Sequence, residues 1–234
     1  MTFKNETRTV ELALGDLELT GDLMMPEGAT AIVLFAHGSG SSRLSRRNRF
    51  VARQLADAGL STLLFDLLTP EEEEEESRSG ALRFDIPMLA DRLERATEFV
   101  RGHSDTRHLA IGYFGASTGA AAALISAAAR TEIVEAVVSR GGRPDLAEEA
   151  LDRVTCPTLL IVGGADQPVL DLNARAYARL RCKKRIEVIP GATHLFEEPG
   201  ALEEVARVAR EWFRRFLVEE TAPRGLLEGP DQHP

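Results

Sequence analysis

Apolar and polar positions alternate along this chain in two rhythms, and their order predicts an architecture. Segments 9–14 and 17–25 alternate with a period of two around Gly15-Asp16, the signature of an antiparallel hairpin. Continuous apolar runs follow at 31–36, 61–66, 108–114, 133–138, 157–163 and 185–190. Short runs of that kind suit strands buried on both faces of a parallel sheet. Helical stretches fill the intervals at about 43–58, 84–101, 120–130, 145–153, 169–180 and 201–217. The alternation predicts an α/β fold: a mostly parallel sheet with an N-terminal antiparallel hairpin and helices on both faces. Residues 1–217 read as a single domain with one core. Residues 218–234, rich in proline and poor in apolar residues, read as a disordered tail.

The run at 108–114 leads straight into Gly115-Ala116-Ser117-Thr118-Gly119, and a small-residue helical run follows at once. A Gly-x-Ser-x-Gly at a strand-to-helix junction describes a nucleophile elbow, a turn so tight that flanking bulk is excluded. The turn lifts the Ser117 hydroxyl above the sheet edge and points the first amides of the next helix at its target. Such a pattern also arises by chance, and the strand before it and helix after it are what favour the elbow.

A serine needs a base, and the base needs an orienting acid. Asp166 falls just past the run at 157–163, and His194 just past the run at 185–190. Both therefore sit on the same sheet edge as Ser117, where open α/β sheets place their ligands. Asp166 has a plainer reading as the N-cap of the helix that follows. His103 and His108 lie at the wrong end of their strand, and His233 is in the terminal segment.

Acyl transfer also needs a place for negative charge. His37-Gly38-Ser39-Gly40-Ser41-Ser42 follows the run at 31–36, and the amides of Thr118 and Ser39 are the candidate oxyanion donors. This loop lacks the Gly-Lys-Ser/Thr ending of a phosphate-binding loop and the spacing Gly-x-Gly-x-x-Gly. His37 reads as a brace for the loop.

Two segments break the rhythm. Leu68-Thr69-Pro70 and six glutamates, Glu71 to Glu76, read as a solvated acidic loop leaving the catalytic edge, with a small mobile flap as the alternative. Arg140-Gly141-Gly142-Arg143-Pro144 also leaves that edge. With Arg43, Arg46 and Arg47 it could form a basic rim for anionic substrates, or be ordinary surface arginines paired with acids. Gly38, Arg140 and Phe196 are the candidate substrate contacts.

Composition narrows the partners. A net charge of −9 disfavours nucleic acid and anionic membranes. No apolar run has the length of a membrane span, the first residues lack an apolar signal core, and a cytoplasmic location is expected. Cys156 and Cys182 have no motif spacing and suit a reducing compartment. Oligomeric state is not legible.

The hairpin, the elbow and the order Ser117, Asp166, His194 resemble the α/β-hydrolase superfamily, and within it the dienelactone-hydrolase-like branch. The resemblance spans about residues 8–217 and rests on His37-Gly38-Ser39-Gly40, the elbow, Asp166 and Gly191-Ala192-Thr193-His194. It implies Ser117 as nucleophile, His194 as general base and acid, and Asp166 as its orienting acid, with no metal or organic cofactor. The name-giving members look to a cysteine where this chain has Ser117, which turns the expectation from lactones toward small, short-acyl carboxylic esters. A thioesterase or small-peptide hydrolase would share every catalytic part, and a non-catalytic ligand-binding relative is a further alternative. Only residues 139–156 separate two strands where many relatives insert a cap, so no cap domain is expected and the site should be open.

Overall fold

A computed structural model of the chain describes residues 6–220. The expected tail lies almost wholly outside them. Among the described residues, eight strands form one sheet in the order β1-β2-β4-β3-β5-β6-β7-β8. The hairpin strands β1 (Thr7–Ala13) and β2 (Glu18–Met24) pair antiparallel, and β2 pairs antiparallel with β4 (Ser61–Phe65). The remaining neighbours are parallel: β3 (Ala31–Ala36), β5 (Ala110–Ala116), β6 (Val134–Arg140), β7 (Thr158–Gly163) and β8 (Lys184–Ile189). All six residues of β3 and all six of β7 are buried, which is why these strands read as nearly unbroken apolar runs.

Helices cover both faces. α1 (Arg46–Ala56) and α7 (Ala201–Arg214) pack with Phe35, Phe114, Val138 and Ile161 on one side. α3 (Ile86–Gly102), α4 (Thr118–Ala129) and α6 (Gln167–Arg179) cover the other, around Leu34, Tyr113, Val137 and Leu160. β3 and β5 are adjacent, yet α1 leaves the first on one face and α4 leaves the second on the other. That is a topological switch point, and it opens a crevice above the carboxyl ends of these two strands. β6 and β7 are joined through a short 3-10 helix (Pro144–Ala147) and one turn of α-helix, α5 (Glu148–Leu151), with no cap between them.

One segment departs from expectation. Residues Pro70–Ser79 form a helix, α2, rather than a solvated loop. Thr69 caps it: its hydroxyl accepts from the Glu72 amide, and the Glu72 carboxylate accepts from the Thr69 amide. Pro70 suits the first turn, three glutamates complement its dipole, and Gly80 ends it with φ +65°.

Candidate active site

The elbow is as tight as its sequence implies. Ser117 has φ 51°, in the left-handed region that costs a residue with a Cβ, and its neighbours hold it there. Its amide donates to the Arg140 carbonyl at 3.2 Å, and its carbonyl accepts from the Arg143 amide at 3.1 Å. A Cβ on Gly119 would lie 2.2 Å from the Ala36 carbonyl oxygen, and one on Gly115 would lie 2.4 Å from Ala120 Cα. Both motif glycines are thus demanded by the approach of α4 to β3 and β5.

Asp166 and His194 meet. His194 Nδ1 lies 2.8 Å from Asp166 Oδ2, and the carboxylate side chain is more buried than the ring. A carboxylate can only accept, so Nδ1 carries the hydrogen and Nε2 is left with its lone pair. Asp166 occupies the N-cap position of α6, but its side chain makes no capping bond. The loops that carry the pair are pressed together because Gly163 lacks a Cβ, which would sit 2.4 Å from the Ala192 carbonyl oxygen.

Ser117 and His194 flank the same turn. A Cβ on Gly141 would be 3.5 Å from His194 Cε1, and Gly141 follows the residue whose carbonyl receives the Ser117 amide. Among the described residues no Ser117–His194 hydrogen bond is formed. Such bonds are often long in sites without substrate and tighten when it binds.

The loop after β3 is held from three directions. His37 Nε2 accepts from the Leu67 amide at 3.0 Å while Nδ1 donates to the Gly38 carbonyl at 3.0 Å. Burial pushes the pKa of this ring below its ordinary 6.5, so the neutral ring braces the loop. The Ser39 amide, an expected oxyanion donor, donates to Thr118 Oγ1 at 3.0 Å. Ser39 Oγ contacts Thr118 Oγ1 at 3.0 Å and donates to the Arg83 carbonyl at 3.2 Å. Arg83 is in turn fixed by Glu76, whose buried carboxylate accepts from the Leu82 amide at 2.7 Å, the Arg83 amide at 3.0 Å and the Arg83 side chain. Reasoning from sequence missed Glu76 and the Thr118 hydroxyl; only the capping box at Thr69 signalled a helix there.

The expected substrate contacts lie in different places. Gly38 approaches the nucleophile, where a Cβ would be 3.0 Å from Ser117 Cβ. Arg140 is 7% exposed: its side chain points into the face of α1, donating to Asn48 Oδ1 at 3.4 Å, with its guanidinium 5.7 Å from the Phe196 ring centre. Burial lowers its pKa to about 10, with Arg47 adding repulsion. Phe196 is 1% exposed and belongs to that core. Three arginines of the expected basic rim are in ion pairs, Arg43 with Asp66, Arg47 with Glu197 and Arg143 with Asp145, and Arg140 is buried. Among the described residues no group of three or more His, Cys, Asp or Glu side chains could hold a metal ion, and no helix is long and apolar enough to cross a membrane.

A parallel sheet with an N-terminal hairpin, a strained serine between β5 and α4, and an Asp–His pair beyond β7 and β8 define an α/β-hydrolase fold. The dienelactone hydrolase family model matches residues 19–218, and the chain belongs to that family. A dienelactone hydrolase from Anabaena variabilis is 58% identical, with a TM-score of 0.89 over 91% of this chain and 98% of that one. Est1E from Butyrivibrio proteoclasticus shares the fold at 15% identity, with a TM-score of 0.74 over 88% of this chain and 98% of its own. A Mycobacterium tuberculosis protein provisionally named a phosphoribosyl transferase is 57% identical over 204 residues, 87% of this chain and 45% of that protein. The chain thus spans about half the length of the first curated relatives it matches.

Proposed function

We propose that this chain is a serine hydrolase that cleaves small carboxylic esters, with Ser117 as nucleophile, His194 as base and Asp166 as its orienting acid. The 2.8 Å contact between His194 Nδ1 and Asp166 Oδ2 carries this reading, because it leaves Nε2 free as a base on the sheet edge that presents Ser117. Family membership and the 58% identity to a dienelactone hydrolase support ester hydrolysis in general.

In the mechanism, Ser117 Oγ attacks the ester carbonyl as His194 takes its proton. The oxyanion rests on the Thr118 amide and, once it has displaced the Thr118 hydroxyl, on the Ser39 amide. His194 returns the proton to the departing alcohol, and water then cleaves the acyl-enzyme by the same route. Without a cap, acyl groups of about two to six carbons are favoured, since each further methylene gains about 0.8 kcal/mol only when buried.

Fluorophosphonate labelling tests this directly. Wild type is expected to take up the probe and release p-nitrophenol from p-nitrophenyl acetate, and Ser117→Ala to do neither. Undiminished labelling in Ser117→Ala would place the nucleophile elsewhere.

A further inference from the structure

A cavity of 440 Å³ opens beside the loop that carries Ser39. Leu67, Leu68 and Leu89 give it an apolar floor, and α2, the glutamate helix, forms one wall. Among the charged side chains that line the cavity, one carboxylate lacks an ion-pair partner. Glu76 is matched by Arg83, and burial holds the His37 ring neutral. Nearby Arg43 is committed to Asp66. Glu73 lines the cavity too, and its carboxylate has no hydrogen bond or ion pair with any described residue. Glu73 is exposed at the cavity's lip, where the burial it has and neighbouring Asp66 raise its pKa and the nearby Arg43 guanidinium partly offsets them.

We propose that this cavity receives one substituent of the ester, and that Glu73 makes it selective for substituents ending in a cation such as an ammonium over those ending in a carboxylate. The inference rests on the esterase reading above. Its physical content is simple. The apolar floor takes a short methylene chain, and the end of that chain meets the Glu73 carboxylate, which has no ion pair of its own beside the Asp66–Arg43 pair. An ammonium there is attracted, a methyl group is indifferent, and a carboxylate meets like charge before it can enter. The sequence Glu71 to Glu76 thereby gains a purpose beyond helix formation: it carries Glu73 to the lip of the site.

The test uses esters of equal length ending in ammonium, methyl or carboxylate, prepared once with the charge on the acyl part and once on the alcohol part. Wild type is expected to rank ammonium above methyl above carboxylate in kcat/KM in one series, with about tenfold between the extremes at low salt and less at high salt. Glu73→Gln should bring the three within about twofold, and Glu73→Lys should invert the order, while labelling of Ser117 stays unchanged. Turnover and labelling with no ranking in either series, or a ranking that survives Glu73→Gln, overturns this inference alone. Absence of both turnover and labelling overturns the esterase reading and this inference with it.

Discussion

The Ser39 amide donates to Thr118 Oγ1 at 3.0 Å, so the loop after β3 is stapled to the first residue of α4 by a side chain. The acceptor occupies a donor that an oxyanion would need. Exchange is favourable in principle, because a hydrogen bond to an anion is roughly twice as strong as one to a neutral hydroxyl.

Thr118→Val removes the competing acceptor at nearly constant volume. The neutral bond is worth about 0.5–1.5 kcal/mol, so freeing the amide should raise the acylation rate about 2–10-fold. Thr118→Ser keeps the acceptor and should stay near wild type. The burst phase with p-nitrophenyl acetate reads this out. A slower burst in Thr118→Val would show that the hydroxyl positions the loop for catalysis instead of competing for it.

Asp166→Asn separates an orienting acid from a helix cap. Asn caps about as well as Asp, and no capping bond from Asp166 exists to lose, so the melting temperature should hardly move. Turnover should fall by about 10⁴, because an amide facing Nδ1 no longer demands the tautomer that leaves Nε2 basic. Steady-state kinetics beside a thermal melt decide it: activity near wild type would move the acid role to another residue.

The strands, the elbow and the spatial meeting of Asp166 with His194 were legible in the sequence, because each rests on a local pattern. Fully buried strands read as apolar runs, and strand ends mark one edge of the sheet. α2 was obscured by its six glutamates, which look like solvated chain until the Thr69–Glu72 capping box and the closing Gly80 are weighed together. The burial of Arg140 and Phe196 was not legible for another reason. Side-chain direction at a strand end and beyond a turn depends on tertiary packing, and both turn toward the α1 face. The clasp of Ser39 between Thr118 and Arg83 joins residues distant in sequence, and no local pattern announces it.

His37 gives a pH dependence of defined sign. Its pKa in the fold lies below the unfolded value, so between the two the unfolded chain binds more protons and stability rises with pH. The contribution is fully present above about pH 6.5, the ordinary histidine value, and is lost as pH falls below it toward the folded pKa. Protonation would put a second hydrogen on the ring opposite the Leu67 amide, which already points one at it. Thermal melts of wild type and His37→Gln across pH 4.5–8 should converge as the pH drops, because Gln lacks the titration. Parallel curves would mean that His37 titrates alike in both states.

Glu76 reaches the site through backbone. Its carboxylate gathers the amides of Leu82 and Arg83, and the Arg83 carbonyl accepts from Ser39 Oγ. Glu76→Ala should release that turn, lower the melting temperature and reduce kcat more than it changes KM, since the loop it steadies serves the transition state. Glu76→Gln retains an oxygen acceptor for the two amides but loses the ion pair to Arg83, and should fall between. A loss of kcat alone could still reflect general loosening of the fold. The double-mutant cycle with Ser39→Ala removes that ambiguity, because Ser39→Ala already cuts the link between the turn and the loop. If the effect travels through Arg83 and Ser39, Glu76→Ala should cost little further kcat in the Ser39→Ala background while its cost in melting temperature persists. Additive losses in kcat would show that Glu76 acts on the site by some other route.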